Sequence, residues 1–154
     1  MISGERLTIK IVNASSSSEF RSIYGPEYAI DGEVVTGNGY FFHSAEEAYP
    51  WLELDLGRIS TVTGLTIYNR VNCCGERLRN LQIRAGSVQV PEKHKGEWSG
   101  NTKVAYFRGP GTSGGIYSLP FDDKISARYI TFQLIDSSET YMQMNEVVVF
   151  GTRK

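Results

Sequence analysis

The sequence predicts a single all-β domain, an antiparallel sandwich or barrel, spanning residues 1–154. Three observations predict it. Apolar residues recur at period two in run after run, no stretch carries the period of a long amphipathic helix, and turn-rich segments separate the runs. In chain order, "LTIKIV" puts Leu7, Ile9 and Ile11 on one face. "WLELDLG" alternates Leu52, Leu54 and Leu56 inward with Glu53 and Asp55 opposite. "TGLTIYNR" brings Leu65 and Ile67 together, "LQIRAG" follows, and "RYITFQLI" and "NEVVVFG" close the series. The punctuation comes from "DGEVVTGNGY", "SGN" and "RGPGTSGG". Short strands divided in this way are the pattern of a sandwich or barrel, and 154 residues suit one hydrophobic core. No internal repeat or linker divides the chain.

Composition narrows the function. Lys and Arg number 16 against 17 Asp and Glu, a formal net charge of −1. That balance argues against a general polyanion binder, so no nucleic-acid partner is expected. No apolar run approaches a membrane span, so no direct insertion is expected. The opening "MISGERLTIK" lacks the apolar stretch of a signal peptide, which leaves a cytosolic chain, a processed chain or a module of a larger protein as alternatives. Asn13-Ala14-Ser15 is a glycosylation sequon, a short pattern that matters only in a eukaryotic secretory setting.

The most specific stretch is "NRVNCCGERLRN", residues 69–80, which holds both cysteines of the chain side by side. Arg70 falls where one strand ends and Arg77 where the next is expected to start, so two guanidiniums emerge at one end of the sandwich. Each offers five donors in a planar fork, suited to adjacent oxygens of a carboxylate, a phosphate or a sugar's vicinal hydroxyls. The plainer reading is that both arginines pair with surface acids such as Glu76 or Asp55. Cys73 and Cys74 admit several readings. A metal site needs more ligands than His43 and His94 supply. A thiolate beside an arginine is a conceivable nucleophile. A vicinal disulfide would stiffen the turn and present a small polarizable plate, while two buried thiols fit a tight turn poorly. His43 lies in the aromatic stretch "GYFFHSAEEAYPW"; His94, in "PEKHKGEW", reads as a solvated loop residue.

Taken together these residues resemble the F-type lectins, or fucolectins. From His43 to Arg70 is 27 positions and from Arg70 to Arg77 is 7, both as in that family's histidine–arginine–basic signature. "NRVNCCGERL" is similar to the family's Asn-Arg-x-Asp-Cys-Cys-Gly-Glu-Arg run, "PWLELDLG" to its Pro-Trp-Trp-x-Val-Asp-Leu strand and "YAIDGE" to its Ala-Ile-Asp-Gly element. "RYITFQL" and "MNEVVVF" are similar to its closing strands. The resemblance runs from about Tyr28 to Phe150.

The resemblance implies an eight-stranded antiparallel jelly-roll β-sandwich of the discoidin and factor V/VIII C-type kind. It implies a non-enzymatic, extracellular carbohydrate-binding domain that takes terminal α-L-fucose on glycans. Arg70, Arg77 and His43 would hydrogen-bond the ring oxygen and the 3- and 4-hydroxyls. A Cys73–Cys74 disulfide would stack on the ring carbons, and aromatics near Tyr40 and Phe41 would receive the methyl group. A structural calcium ion is implied too, on the Asp31 and Glu146 carboxylates and backbone oxygens near Tyr28, Glu33 and Asn145. The family's Asp between the first arginine and the cysteines is here Asn72, which predicts looser arginine placement and weaker or altered fucose recognition. A single shallow site binds weakly, so repetition is expected, in a homo-oligomer or in a larger chain. Two other classes compete. One is a discoidin-type adhesion module for a membrane surface or protein partner, which exposed apolar loop tips would favour; the end loops read as polar and glycine-rich. The other is a thiol enzyme with Cys73 or Cys74 as nucleophile and His43 as base.

Overall fold

Two long strands organise the chain in the computed structural model, which describes residues 7–33 and 40–152. The strands are β1 (Leu7–Ile9), β2 (Asn13–Ser16), β3 (Phe42–His43), β4 (Trp51–Tyr68), β5 (Leu81–Gly86), β6 (Thr102–Phe107), β7 (Ile116–Leu134), β8 (Gln143–Met144) and β9 (Glu146–Thr152). Three single-turn 3-10 helices, Ser22–Tyr24, Pro26–Ala29 and Gly75–Arg77, complete the regular structure. All strand pairs are antiparallel, in the order β1-β9-β4-β7-β5-β6 with β2 added on β4. The pair β3–β8 stands apart as a two-stranded sheet.

The sandwich arises because β4 and β7 bend. The first part of β4 pairs with β2 and with the end of β7; beyond a register shift between Asp55 and Ser60 it pairs with β9 and the start of β7. Gly57 sits in that shift at φ +80°, and its N–H donates to Asp55 Oδ1 at 2.7 Å. Such a bulge turns a strand and strengthens its twist. Leu52, Leu54 and Leu56 from before the bend share one core with Leu65 and Ile67 from after it, together with Ile83, Ile130, Phe132, Val147 and Val149. Leu52, Leu54 and Ile67 are fully buried, each worth about 1.5–3 kcal/mol of transfer free energy.

The all-β antiparallel sandwich read from the sequence is the observed architecture. Several details differ. The described residues form nine strands where eight are expected, and two of them, β3 and β8, are only two residues long. "WLELDLG" and "TGLTIYNR" are one continuous bent strand, and Arg77 lies in a 3-10 turn four residues before β5 rather than at a strand start. The turn-rich "DGEVVTGNGY" falls largely on residues 34–39, outside the described residues.

Glu53 is the clearest departure from alternation, being 2% exposed on the face expected to meet water. A loop across residues 87–98 covers that face. Its Val90 N–H donates to Glu53 Oε2 at 2.8 Å, its Gly96 carbonyl accepts from Gln133 Nε2 at 2.9 Å, and its His94 carbonyl accepts from Trp51 Nε1 at 3.1 Å. Burial pushes the Glu53 carboxyl up to about 7.

Candidate functional site

The chain leaves β4 at Tyr68 and enters a turn that is fastened from below. Buried Asn69 donates from Nδ2 to the Gly75 and Thr112 carbonyls, both at 3.0 Å, and its Oδ1 accepts from the Arg70 N–H at 2.9 Å. Gly75 packs so closely on the neighbouring loop that a Cβ there would lie 2.1 Å from Ser113 N. Only glycine allows that approach. Gly75 N–H donates to Ser113 Oγ at 3.1 Å, and Gly114 N–H donates to the Arg70 carbonyl at 2.8 Å. Cys74, at φ +65°, makes the sharp reversal and is bonded to Cys73. The two cysteines are thus a vicinal disulfide, both half-exposed, and no free cysteine remains. That removes the thiol nucleophile and with it the thiol-enzyme reading.

Opposite this turn, the β3–β8 pairing sets His43 directly across from Gln143. His43 is 6% exposed inside an aromatic wall, its ring centroid 4.9 Å from Phe20, 5.1 Å from Tyr141, 5.7 Å from Tyr24 and 6.1 Å from Phe41. The same wall carries the arginines. Arg70 Cζ lies 4.6 Å from the Phe41 ring centroid and Arg77 Cζ lies 4.7 Å from that of Tyr141. Arg70 Nε also donates to Asn72 Oδ1 at 2.8 Å. The structure therefore brings together six of the expected residues, His43, Arg70, Arg77, Cys73, Cys74 and Asn72, with Phe41 beneath Arg70. Tyr40 is placed differently: its ring stacks on Tyr28 at 5.2 Å.

One end of the Gln143 side-chain amide faces all three basic side chains. As the oxygen, that end accepts from Arg70 Nη1 at 3.2 Å and Arg77 Nη1 at 2.5 Å, and it lies 3.0 Å from His43 Nε2. As the nitrogen it would set donors against donors. On its other side the His43 ring meets the Ser44 carbonyl, 2.7 Å from Nδ1. Burial, and then the charges of Arg70 and Arg77, hold the imidazole below its usual range. A neutral ring has one proton for two facing oxygens, so Nε2 is where a proton or a ligand's hydroxyl alters the network. The Arg70 guanidinium is likewise shifted down, first by burial and then by Arg77. Among the described residues, the ion pairs are Lys95–Glu47 and Arg128–Asp55; neither Arg70 nor Arg77 has a carboxylate partner. The plain surface-pairing reading of the two arginines does not hold.

The sequence did not single out Phe20, Tyr24, Tyr141 or Gln143. Phe20 and Tyr24 lie in an irregular segment without period, and Gln143 lies just ahead of the closing run "MNEVVVF". The loops around the site also carry Phe20, Ile23 and Val71 at 45%, 50% and 45% exposure, so they are not uniformly polar as expected.

The expected metal residues form a second cluster. Glu146 is buried at the start of β9, and the Asp31 and Glu146 carboxyls adjoin. Gly32 N–H donates to Glu146 Oε2 at 3.0 Å, while buried Glu146 Oε1 has no hydrogen-bond partner among the described residues. Burial and the neighbouring Asp31 push the Glu146 carboxyl up to about 8. Tyr28 and Glu33 belong to the same Asp31 segment, and Asn145 directly precedes Glu146. Among the described residues no three His, Cys, Asp or Glu side chains group together, so an ion here would depend on carbonyl oxygens as well. Two adjoining carboxyls with an orphaned oxygen fit a hard cation that takes oxygen ligands.

A bent antiparallel sandwich with polar and aromatic groups from the short β3–β8 pair and the adjoining turns gathered in one cluster defines a recognition domain of the discoidin architecture. The chain belongs to the F5/8 type C domain family, whose profile matches residues 12–147. It is 42% identical over 60 residues to a fucolectin of Anguilla anguilla, a match covering 38% of each chain. A fucolectin from Morone saxatilis serum superposes with TM-score 0.78 at 27% identity over 92% of this chain and 47% of that one. A fucose-binding module of Streptococcus pneumoniae superposes with TM-score 0.74 at 26% identity, over 99% of this chain and 100% of the module. The matched segment thus spans well under half of the eel protein, and under half of the bass protein.

Proposed function

We propose that this chain is a non-enzymatic lectin domain that binds terminal α-L-fucose on glycans through His43, Arg70 and Arg77 beside the Cys73–Cys74 disulfide. The observation that carries this reading is the convergence of two guanidiniums, without carboxylate partners among the described residues, and a buried imidazole next to a half-exposed disulfide. Fucose presents an axial hydroxyl beside its ring oxygen, which the guanidinium forks can reach as adjacent acceptors. Its ring carbons offer an apolar face for the disulfide, and its methyl group suits the aromatic wall around His43. A sugar that leaves one of these donors buried and unpaired loses about 1–3 kcal/mol. Fucolectins and fucose-binding modules among the similar proteins support the same ligand.

A calcium ion held by Asp31 and Glu146, with backbone oxygens of Tyr28, Glu33 and Asn145, belongs to this reading as a structural element. When bound, it would neutralise the two carboxyls and tie the Asp31 turn to β9. The proposed setting is extracellular, consistent with the disulfide. Repetition of the site, by oligomerisation or in a longer chain, would supply strength.

Calorimetric titration of the oxidised, calcium-loaded protein with L-fucose tests the proposal. L-galactose, which replaces the methyl with a hydroxymethyl group, serves as the control. Saturable binding of L-fucose that is lost in Arg77→Ala is expected; absence of binding in the wild-type protein overturns the reading. Exposed Phe20, Ile23 and Val71 favour a second reading, attachment to a membrane surface. Sedimentation with phosphatidylserine vesicles in the absence of glycan would identify it.

A further inference from the structure

We infer that Gln143 is a positioning residue of the sugar site, one acceptor that holds both arginines and faces His43; the inference rests on the fucose reading above. Three placements carry it. Gln143 is 3% exposed and occupies one of the two residues of β8, held by the β3 pairing directly opposite His43. Its side-chain oxygen accepts from Nη1 of Arg70 and Nη1 of Arg77, which therefore share one acceptor. Asn72, the other side chain bonded to the pair, is exposed and reaches Arg70 alone.

The physical need is evident from the charges. Two guanidiniums and an imidazole crowd one oxygen, and among the described residues no carboxylate pairs with either arginine. Like charges at close range drive the forks apart unless a common acceptor lies between them. A hydrogen bond from a charged donor is short and stronger than a neutral one, so one amide oxygen shared by two forks fixes their spacing. Fixed spacing is what a ligand with adjacent oxygens requires, because ordering two long side chains at the moment of binding costs affinity. The two-residue sheet β3–β8 has a functional sense on this account: it is just long enough to set His43 and Gln143 side by side.

Two variants test the role. Gln143→Leu keeps approximate volume and removes the acceptor; Gln143→Glu keeps the acceptor and adds a charge. Each is titrated with methyl α-L-fucoside, and the His43 imidazole nitrogens are followed by NMR through a pH series without sugar. Gln143→Leu is expected to bind about tenfold more weakly, because both forks lose their shared acceptor and must be ordered when the sugar binds, with its melting temperature near the wild-type value. Gln143→Glu is expected to retain binding and to raise the pH at which His43 titrates, since a carboxylate then faces Nε2. Wild-type affinity in Gln143→Leu, or an unmoved His43 titration in Gln143→Glu, overturns the inference. Should Gln143→Leu fail to fold, the Gln143→Glu titration decides alone. If the wild-type protein binds no fucoside, the fucose reading falls. The sugar-free His43 titration still judges whether Gln143 holds the cluster.

Discussion

Arg70 Nε donates to Asn72 Oδ1 at 2.8 Å across a two-residue step, while Arg77 receives nothing from that side chain. Asn72 is exposed, so the bond orients one fork without offsetting the charge of either. A carboxylate at this position would add a Coulomb attraction to both guanidiniums. Asn72→Asp is therefore expected to tighten fucose binding, by at most about fivefold because exposed ion pairs contribute about 1 kcal/mol or less. The gain should shrink as salt is raised. Calorimetry at low and high ionic strength measures both, and an unchanged dissociation constant removes any role for charge at this position.

The disulfide is expected to matter for binding far more than for stability. Its bond joins neighbours in sequence, so it closes almost no loop and withdraws little entropy from the unfolded chain. The turn is held independently by Asn69 and by the Gly75 and Gly114 bonds to the adjoining loop. Mild reduction should leave the melting temperature within about 2 °C of the oxidised value while weakening fucose binding about tenfold, the scale of one lost well-made contact. A large fall in melting temperature would show that the bond braces the fold, and equal affinity in both states would show that the sulfurs do not touch the sugar.

These expectations differ in how much of them the sequence could carry. The strands were legible because alternation is a local property, and Leu52, Leu54 and Leu56 are buried as their pattern requires. Glu53 breaks the same pattern because a loop thirty-odd residues further on covers its face, and nothing in "WLELDLG" records that cover. The arginines and cysteines of the site were legible because a single turn holds them together. Gln143 was not, since it meets His43 across a sequence separation of 100 residues, through a pairing two residues long. Asp31 and Glu146 are likewise joined only in the fold, and only the family resemblance made them neighbours in advance.

Buried Glu53 sets a pH dependence. Its carboxyl is pushed up to about 7 by burial, from an ordinary value of 4.5. The folded state therefore holds a proton that the unfolded chain releases between those values. Stability from this group is complete below pH 4.5 and is lost as pH rises toward 7. Glu53→Gln keeps an oxygen acceptor for the Val90 N–H and cannot ionise. Its melting temperature should match the wild type near pH 4.5 and exceed it by a few degrees at pH 8. A constant difference between the two proteins across that range would mean that Glu53 stays ionised in the fold.

Calcium is expected to act on stability, since the proposed ligands lie at a turn and a strand start rather than among the sugar-facing side chains. Without an ion, the Asp31 and Glu146 carboxyls adjoin, and Glu146 Oε1 is buried with no hydrogen-bond partner among the described residues. An ion with several oxygen ligands would satisfy that oxygen and remove the repulsion. A ligand at a thousandfold excess over its dissociation constant stabilises by about 4 kcal/mol, a rise on the order of 10 °C for a domain of this size. Thermal melts in calcium and in chelator measure it directly. Glu146→Gln should abolish the calcium-dependent rise, because a neutral amide is a weaker ligand. The same change should raise the melting temperature in chelator above pH 8, where the wild-type carboxyl would ionise beside Asp31. Asp31→Asn should act in the same direction but less strongly, since Asp31 is exposed and Glu146 is not. Identical melts in calcium and chelator would remove the ion from this fold, leaving Glu146 as a buried acid held by the Gly32 N–H and its neighbour Asp31.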